Sequence, residues 1–234
     1  MNLYDVVGML SAFFLCVSSF GIWIQLRTIW KRKLDFGRER TITSVLSLNH
    51  FTVRFVTFFS IMVLGISQHP FNHYLVWPYL PPVLLLLLII REIYTDRRDR
   101  TSGVVFFLCL TLFVAGLVVW WFGLSEQLHA TTFAETVILC ASVLIAQSDL
   151  HQVWLIRRSG NTGAVAIRTH QTTVIKDASA VLFGLVMGIA VGWPLVASAG
   201  TSFITKSLIL YHFRWAGSSS LAAERREQNS SQSG

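Results

Sequence analysis

Long apolar runs alternate with short polar stretches along the whole chain. The runs are Tyr4–Trp30, Ser44–Ile66, Leu75–Ile90, Ser102–Leu124, Thr131–Ile156, Arg168–Ala190 and Trp193–Arg214. A bilayer core about 30 Å thick needs roughly 20 residues of helix at 1.5 Å per residue. The third run reaches that length only with Tyr94 and the residues before Leu75, and Pro78, Pro81 and Pro82 crowd its start. Spanning helices tolerate such prolines where neighbours satisfy the backbone. The pattern predicts an all-α polytopic membrane protein with seven transmembrane helices.

Composition agrees. Of 234 residues, 53% are hydrophobic and only 13% charged, about half the charged share of a soluble domain. Mean hydropathy is +0.56. A soluble enzyme and a disordered chain are both excluded on this ground. Cys16, Cys109 and Cys140 all lie inside apolar runs, with neither disulfide nor metal spacing. The first run is too long for a signal h-region and residues 1–5 carry no basic segment, so no cleavable signal peptide is expected. The tail from Ala216 is rich in Ser, Gln, Glu and Arg and reads as disordered.

Charge changes the picture by fixing an orientation. The net charge of +7 does not point to nucleic acid, because 15 of the 19 Lys and Arg residues sit at the ends of runs. Lys31, Arg32, Lys33, Arg38 and Arg40 follow span 1, and Arg91, Arg97, Arg98 and Arg100 follow span 3. Arg157, Arg158 and Arg168 follow span 5, while Arg214, Arg225 and Arg226 close the chain. The N-terminus and the even connections hold no Lys or Arg. Positive residues stay cytoplasmic, so the N-terminus is expected outside and the C-terminus in the cytoplasm. The sequon at Asn229-Ser230-Ser231 then lies on the wrong side for glycosylation.

Seven spans also divide as three, one and three. Span 1 ends Ile24-Gln25-Leu26-Arg27-Thr28-Ile29-Trp30-Lys31-Arg32-Lys33, and span 5 ends His151-Gln152-Val153-Trp154-Leu155-Ile156-Arg157-Arg158. A short Gly-bearing loop follows each, through Gly37 and through Gly160 and Gly163, and then a span opening with Ser or Thr. Two three-helix units of like orientation need a linker helix between them. The expected layout is a first repeat over 1–94, a linker over 95–130, a second repeat over 131–215 and a tail over 216–234.

This arrangement resembles the PQ-loop superfamily, which includes SWEET-type sugar transporters and cystinosin-like amino-acid transporters. Gln152, Arg157, Arg158, Ser159, Thr162 and Gly163 carry the closer match to its pattern of Gln, basic pair, small polar residue and Gly. The proline that precedes the Gln in that family is replaced by Ile24 and His151, and Ala197 stands where a sugar-binding asparagine is sought. The resemblance implies a transporter of a sugar or amino acid working by alternating access, without a cofactor, in a lipid bilayer and as a homo-oligomer. It also makes Asp177 similar to the acidic residue of cystinosin-like members, which implies proton coupling.

Polar residues inside spans sharpen the candidates, because a charge at the bilayer centre costs at least about 2.5–3.5 kcal/mol. Span 2 carries Asn49, His50 and Arg54, and span 6 carries His170, Thr173, Lys176 and Asp177. His170, Thr173 and Asp177 share one face at helical spacing. Span 5 carries Gln147, Asp149, His151 and Gln152, and span 7 carries Lys206. Arg54 and Asp177 each stand eleven residues before a glycine, Gly65 and Gly188. Aligned on those glycines, they become equivalent positions expected to face one central cavity. The expected solute-binding residues are thus Arg54, Asp177, Lys176, Asn49, His50 and Thr173. The expected proton-coupling residues are Asp177, Asp149 and His151.

Blander readings compete. Polar residues often only tie helices together, at about 0.6 kcal/mol per contact. Lysines snorkel to an interface, and Asp149 and His151 also suit contact with cytoplasmic water or with Arg157 and Arg27. Gly184 and Gly188 read as a close-packing pair. His69 and His73 read as loop residues, with no metal site expected. No phosphate loop, zinc spacing or nucleophile elbow is present, so no enzyme is expected. The missing prolines favour an alternative, a non-transporting receptor, scaffold or assembly factor. A retinal photoreceptor would use Lys206, but span 3 offers no carboxylate counter-ion before Glu92.

Overall fold

The structure, a computed structural model, describes residues 2–36, 43, 46–124, 130–160 and 167–225. Gly37, Arg38, Arg40, Thr162, Gly163 and the sequon lie outside them. Eight helices occur among the described residues: α1 (Leu3–Phe36), α2 (Leu48–Ser67), α3 (His73–Val76), α4 (Leu80–Arg97), α5 (Arg100–Trp121), α6 (Ala130–Ser159), α7 (Ile167–Val186) and α8 (Ile189–Ser218). The third apolar run is split by its prolines into α3 and α4, and α4 continues past Tyr94 to Arg97. Among the described residues five segments are long and apolar enough to cross a membrane: Leu3–Leu34, Leu48–Ser67, His73–Arg97, Arg100–Trp121 and Ala130–Arg158. Spans 6 and 7 correspond to α7 and α8, whose apolar character is diluted by Lys176, Asp177, Lys206 and a series of Ser and Thr.

The chain divides into two compact units, 1–141 and 142–234. In the first, α2 is the central helix. Phe55, Phe58, Phe59, Met62 and Leu64 on it are all buried. α4 packs against α1, α2 and α5, with Val83, Leu86, Ile89, Ile90 and Ile93 sealed inside. α1 and α5 show the reverse pattern: Phe13, Val17, Phe20, Val104, Phe107 and Leu108 lie exposed. Large apolar side chains turned outward along a whole helix suit lipid rather than water as the solvent.

Polar contacts fasten both ends of this unit. At one end, Lys33 Nζ pairs with Glu92 Oε2 at 2.5 Å. Asp96 Oδ2 accepts from the Thr43 amide and hydroxyl at 2.8 and 2.7 Å. Arg97 donates to the Thr43 and Leu46 carbonyl oxygens at 2.7 and 2.5 Å, so the last two turns of α4 clamp the approaches to its neighbours. At the other end Tyr74 donates to Asp5 at 3.1 Å, and Asn72 caps α3 by accepting from the amides of Tyr74 and Leu75.

In the second unit, α7 and α8 form a tight hairpin. Gly188 turns the chain with φ +89°, a conformation open to glycine and costly for other residues. A Cβ on Gly192 would lie 1.9 Å from the Gly184 carbonyl oxygen. The close-packing pair is therefore Gly184 with Gly192, while Gly188 supplies the turn. α8 contains Pro194, buried near its start, and it continues to Ser218. Residues 220–225 are helical as well, and Ala216 and Ala222 are buried. Over 216–225 the chain is thus ordered rather than disordered as expected, because buried Ala216 and Ala222 hold this stretch; the rest of the expected tail lies outside the described residues.

Candidate functional site

Charge inside the second unit is concentrated in two places. The first is the middle of α7. Twenty residues make a helix about 30 Å long, and Asp177 stands near its centre. Asp177 is 1% exposed, and its Oδ1 lies 2.5 Å from Lys176 Nζ. Neighbouring residues on a helix normally point apart, so the lysine stem folds back to make this pair. Desolvating an ion costs several kcal/mol, which attraction offsets only when the remaining lone pairs are satisfied. Among the described residues they are not: Asp177 Oδ2 is buried and meets no hydrogen-bond partner there. Thr173, one turn earlier, is buried. His170, a further turn back, holds a buried Nδ1 that also meets no hydrogen-bond partner among the described residues. The stripe predicted from spacing is thus an inward-facing stripe, and it contains two unsatisfied polar atoms.

The second place joins α6 to α8. Asp149 Oδ2 accepts from Lys206 Nζ at 2.8 Å and from the Thr205 hydroxyl at 2.7 Å. Both charged side chains are largely buried, at 13% and 16% exposure. His170 lies within electrostatic reach of both Asp149 and Lys206, and its ring is 6.3 Å from that of Phe213. Three helices of this unit therefore direct titratable or charged groups to one region. Thr205 was not singled out in the sequence; a lone Thr in a span carries no signal until its partner is known. Asp149 finds Lys206, 57 residues away, rather than a cation on its own helix.

The other candidates are dispersed. His151 is exposed and stacks on Trp154, with centroids 5.5 Å apart. Gln152 is half-buried on α6, and Gln25 is half-buried on α1 in the first unit. Arg54 is half-buried on α2, whereas Asn49 and His50 are exposed in its first turn. The glycine alignment compares unlike positions. Gly65 lies within α2, where an added Cβ would meet Leu75 Cβ at 2.6 Å. Gly188 lies beyond α7 in a turn. Counted from the helix ends Ser67 and Val186, Arg54 and Asp177 differ by about one turn. His73 accepts a hydrogen bond from Trp77 Nε1 at 3.1 Å. Among the described residues no group of three potential ligands could hold a metal ion.

No family model matches the chain, and no curated protein matches it. Among solved structures it is similar to a eukaryotic SWEET transporter determined at 3.7 Å resolution, with a TM-score of 0.65. The match covers 93% of this chain and 100% of that one, at 14% identity. The fold is SWEET-like. The chain is accordingly a multi-pass membrane protein whose described residues form helices and no strand. At such low identity the SWEET-like fold speaks for architecture, and the chemistry rests on the side chains described above.

Proposed function

We propose that this protein is a membrane transporter that moves a small polar solute by alternating access, with proton coupling. The observation that carries the reading is the buried Lys176–Asp177 pair at mid-helix, with one carboxylate oxygen that meets no hydrogen-bond partner among the described residues. Intramembrane ionisable groups are expensive and mark solute or proton pathways. In this reading Thr173, Lys176 and Asp177 on α7 are the solute-binding residues of the second unit, and Arg54, Asn49 and His50 on α2 are those of the first. Asp177, Asp149 and His151 carry the proton coupling. A sugar or an amino acid is the solute class, and the charged groups suit a zwitterion. The SWEET-like fold supports a layout of two three-helix repeats around a linker helix, with Gln25 and Gln152 as the PQ-loop-type marks of each repeat. The basic connections support an outside N-terminus and a cytoplasmic C-terminus.

Uptake into proteoliposomes across a panel of sugars, amino acids and organic acids, with and without a pH gradient, tests the reading. Saturable uptake of one class, lost in D177N, is expected. A second reading is favoured by one observation: Ile24 and His151 replace the prolines before Gln25 and Gln152. A receptor on this fold would show ligand-dependent thermal stabilisation without flux.

A further inference from the structure

A basic groove at the end of α6 plays no part in the transport reading. Trp154, Arg157, Arg158 and Arg225 line a space of about 400 Å³. Every lining side chain is cationic or aromatic. The Arg158 guanidinium lies 5.1 Å from the centre of the Trp154 ring, and that of Arg225 lies 5.9 Å from the centre of Trp215. The third arginine arrives from the far end of the chain, 68 residues beyond Arg157, and its Nη1 donates to the Arg157 carbonyl oxygen.

That return is packed. Gly160 closes α6 with φ +66°, and its amide donates to the Ile156 carbonyl at 2.9 Å. A Cβ at Gly160 would lie 2.3 Å from the Ala222 carbonyl oxygen, so glycine lets residues 220–225 dock against the helix end. Like charges gathered this way repel one another unless an anion sits among them. Guanidinium forks match phosphate oxygens in geometry. Tryptophans settle at the membrane–water interface, and basic pockets at helix ends hold anionic headgroups.

We propose that this groove binds a phosphate-bearing anion, presented either as a phosphorylated lipid headgroup or free in solution. Melting of the purified full chain in neutral detergent, titrated with dioctanoyl phosphatidylinositol bisphosphate, tests this. Inositol trisphosphate serves as the lipid-free headgroup and dioctanoyl phosphatidylcholine as the neutral lipid. Saturable stabilisation by the phosphoinositide is expected, with R157Q, R158Q and R225Q each weakening apparent affinity about fivefold. The R32Q/R91Q double variant, at the other basic helix ends, should leave affinity unchanged. Equal stabilisation by the trisphosphate identifies a free anion as the ligand; stabilisation by the lipid alone identifies a membrane lipid. R225Q, on the terminal segment, serves if changes on α6 impair folding. No stabilisation by either anion, equal stabilisation by phosphatidylcholine, or undiminished affinity in R225Q overturns the proposal.

Discussion

Gly184 and Gly192 stand so close that a single methyl group on Gly192 would come within 1.9 Å of the Gly184 carbonyl oxygen. The obstacle is backbone, which cannot rotate away, so the hairpin of α7 and α8 depends on this residue. G192A should exceed the usual 1–3 kcal/mol of overpacking and leave little monodisperse protein on size exclusion. G188A faces open space but a positive φ of 89°, so it should cost about 1–3 kcal/mol and still fold. Melting of the two variants side by side separates the effects.

The Asp149–Lys206 pair predicts an asymmetric mutational pattern. D149A leaves a largely buried ammonium without its carboxylate and should cost about 3–5 kcal/mol. The double variant D149L/K206M removes both charges and should recover most of that loss, because replacing a buried pair with apolar groups is often neutral. Thermal unfolding in detergent checks this, and full additivity of the two changes would contradict the pairing.

Much of the architecture is legible in the sequence, and the misreadings have physical causes. Hydropathy places span 2 at Ser44–Ile66 and span 6 at Arg168–Ala190, close to the observed Leu48–Ser67 and Ile167–Val186. Hydropathy does not see the positive φ of Gly188, so the turn between α7 and α8 is hidden inside an apolar run. The stripe of His170, Thr173 and Asp177 follows from helical spacing alone. The Asp149–Lys206 pair does not, since a contact across 57 residues leaves no local periodicity. Charge bookkeeping offers the one hint, because each is an ionisable residue within an apolar run.

At the junction of α4 and α5, Asp99 caps α5. Its carboxylate accepts from the Ser102 hydroxyl at 2.5 Å and the Ser102 amide at 3.1 Å. The Ser102 side chain is the largest cause holding the Asp99 carboxyl below its ordinary range, followed by the Ser102 amide. A depressed carboxyl pKa contributes stability above its unfolded value and loses it as pH falls through the folded value. S102A should therefore raise the Asp99 midpoint towards the ordinary range and reduce the acid sensitivity of stability near it. Carboxyl-carbon NMR titration of the labelled protein measures the midpoint.

The Lys33–Glu92 pair is partly exposed, at 27% and 12%, so solvent screens it. A double-mutant cycle with K33A and E92A should give a coupling of only about 0.5–1 kcal/mol, shrinking with added salt. A large, salt-independent coupling would contradict that reading of α1 and α4.

Flux itself gives the most direct test. Wild-type and D177N proteins are reconstituted in matched amounts, and uptake of sugars and amino acids is followed with and without an inward proton gradient. The account predicts saturable wild-type uptake that rises with the gradient, and no gradient-driven uptake by folded D177N. Folded wild type that moves none of the solutes, or D177N that responds to the gradient as wild type does, would contradict it.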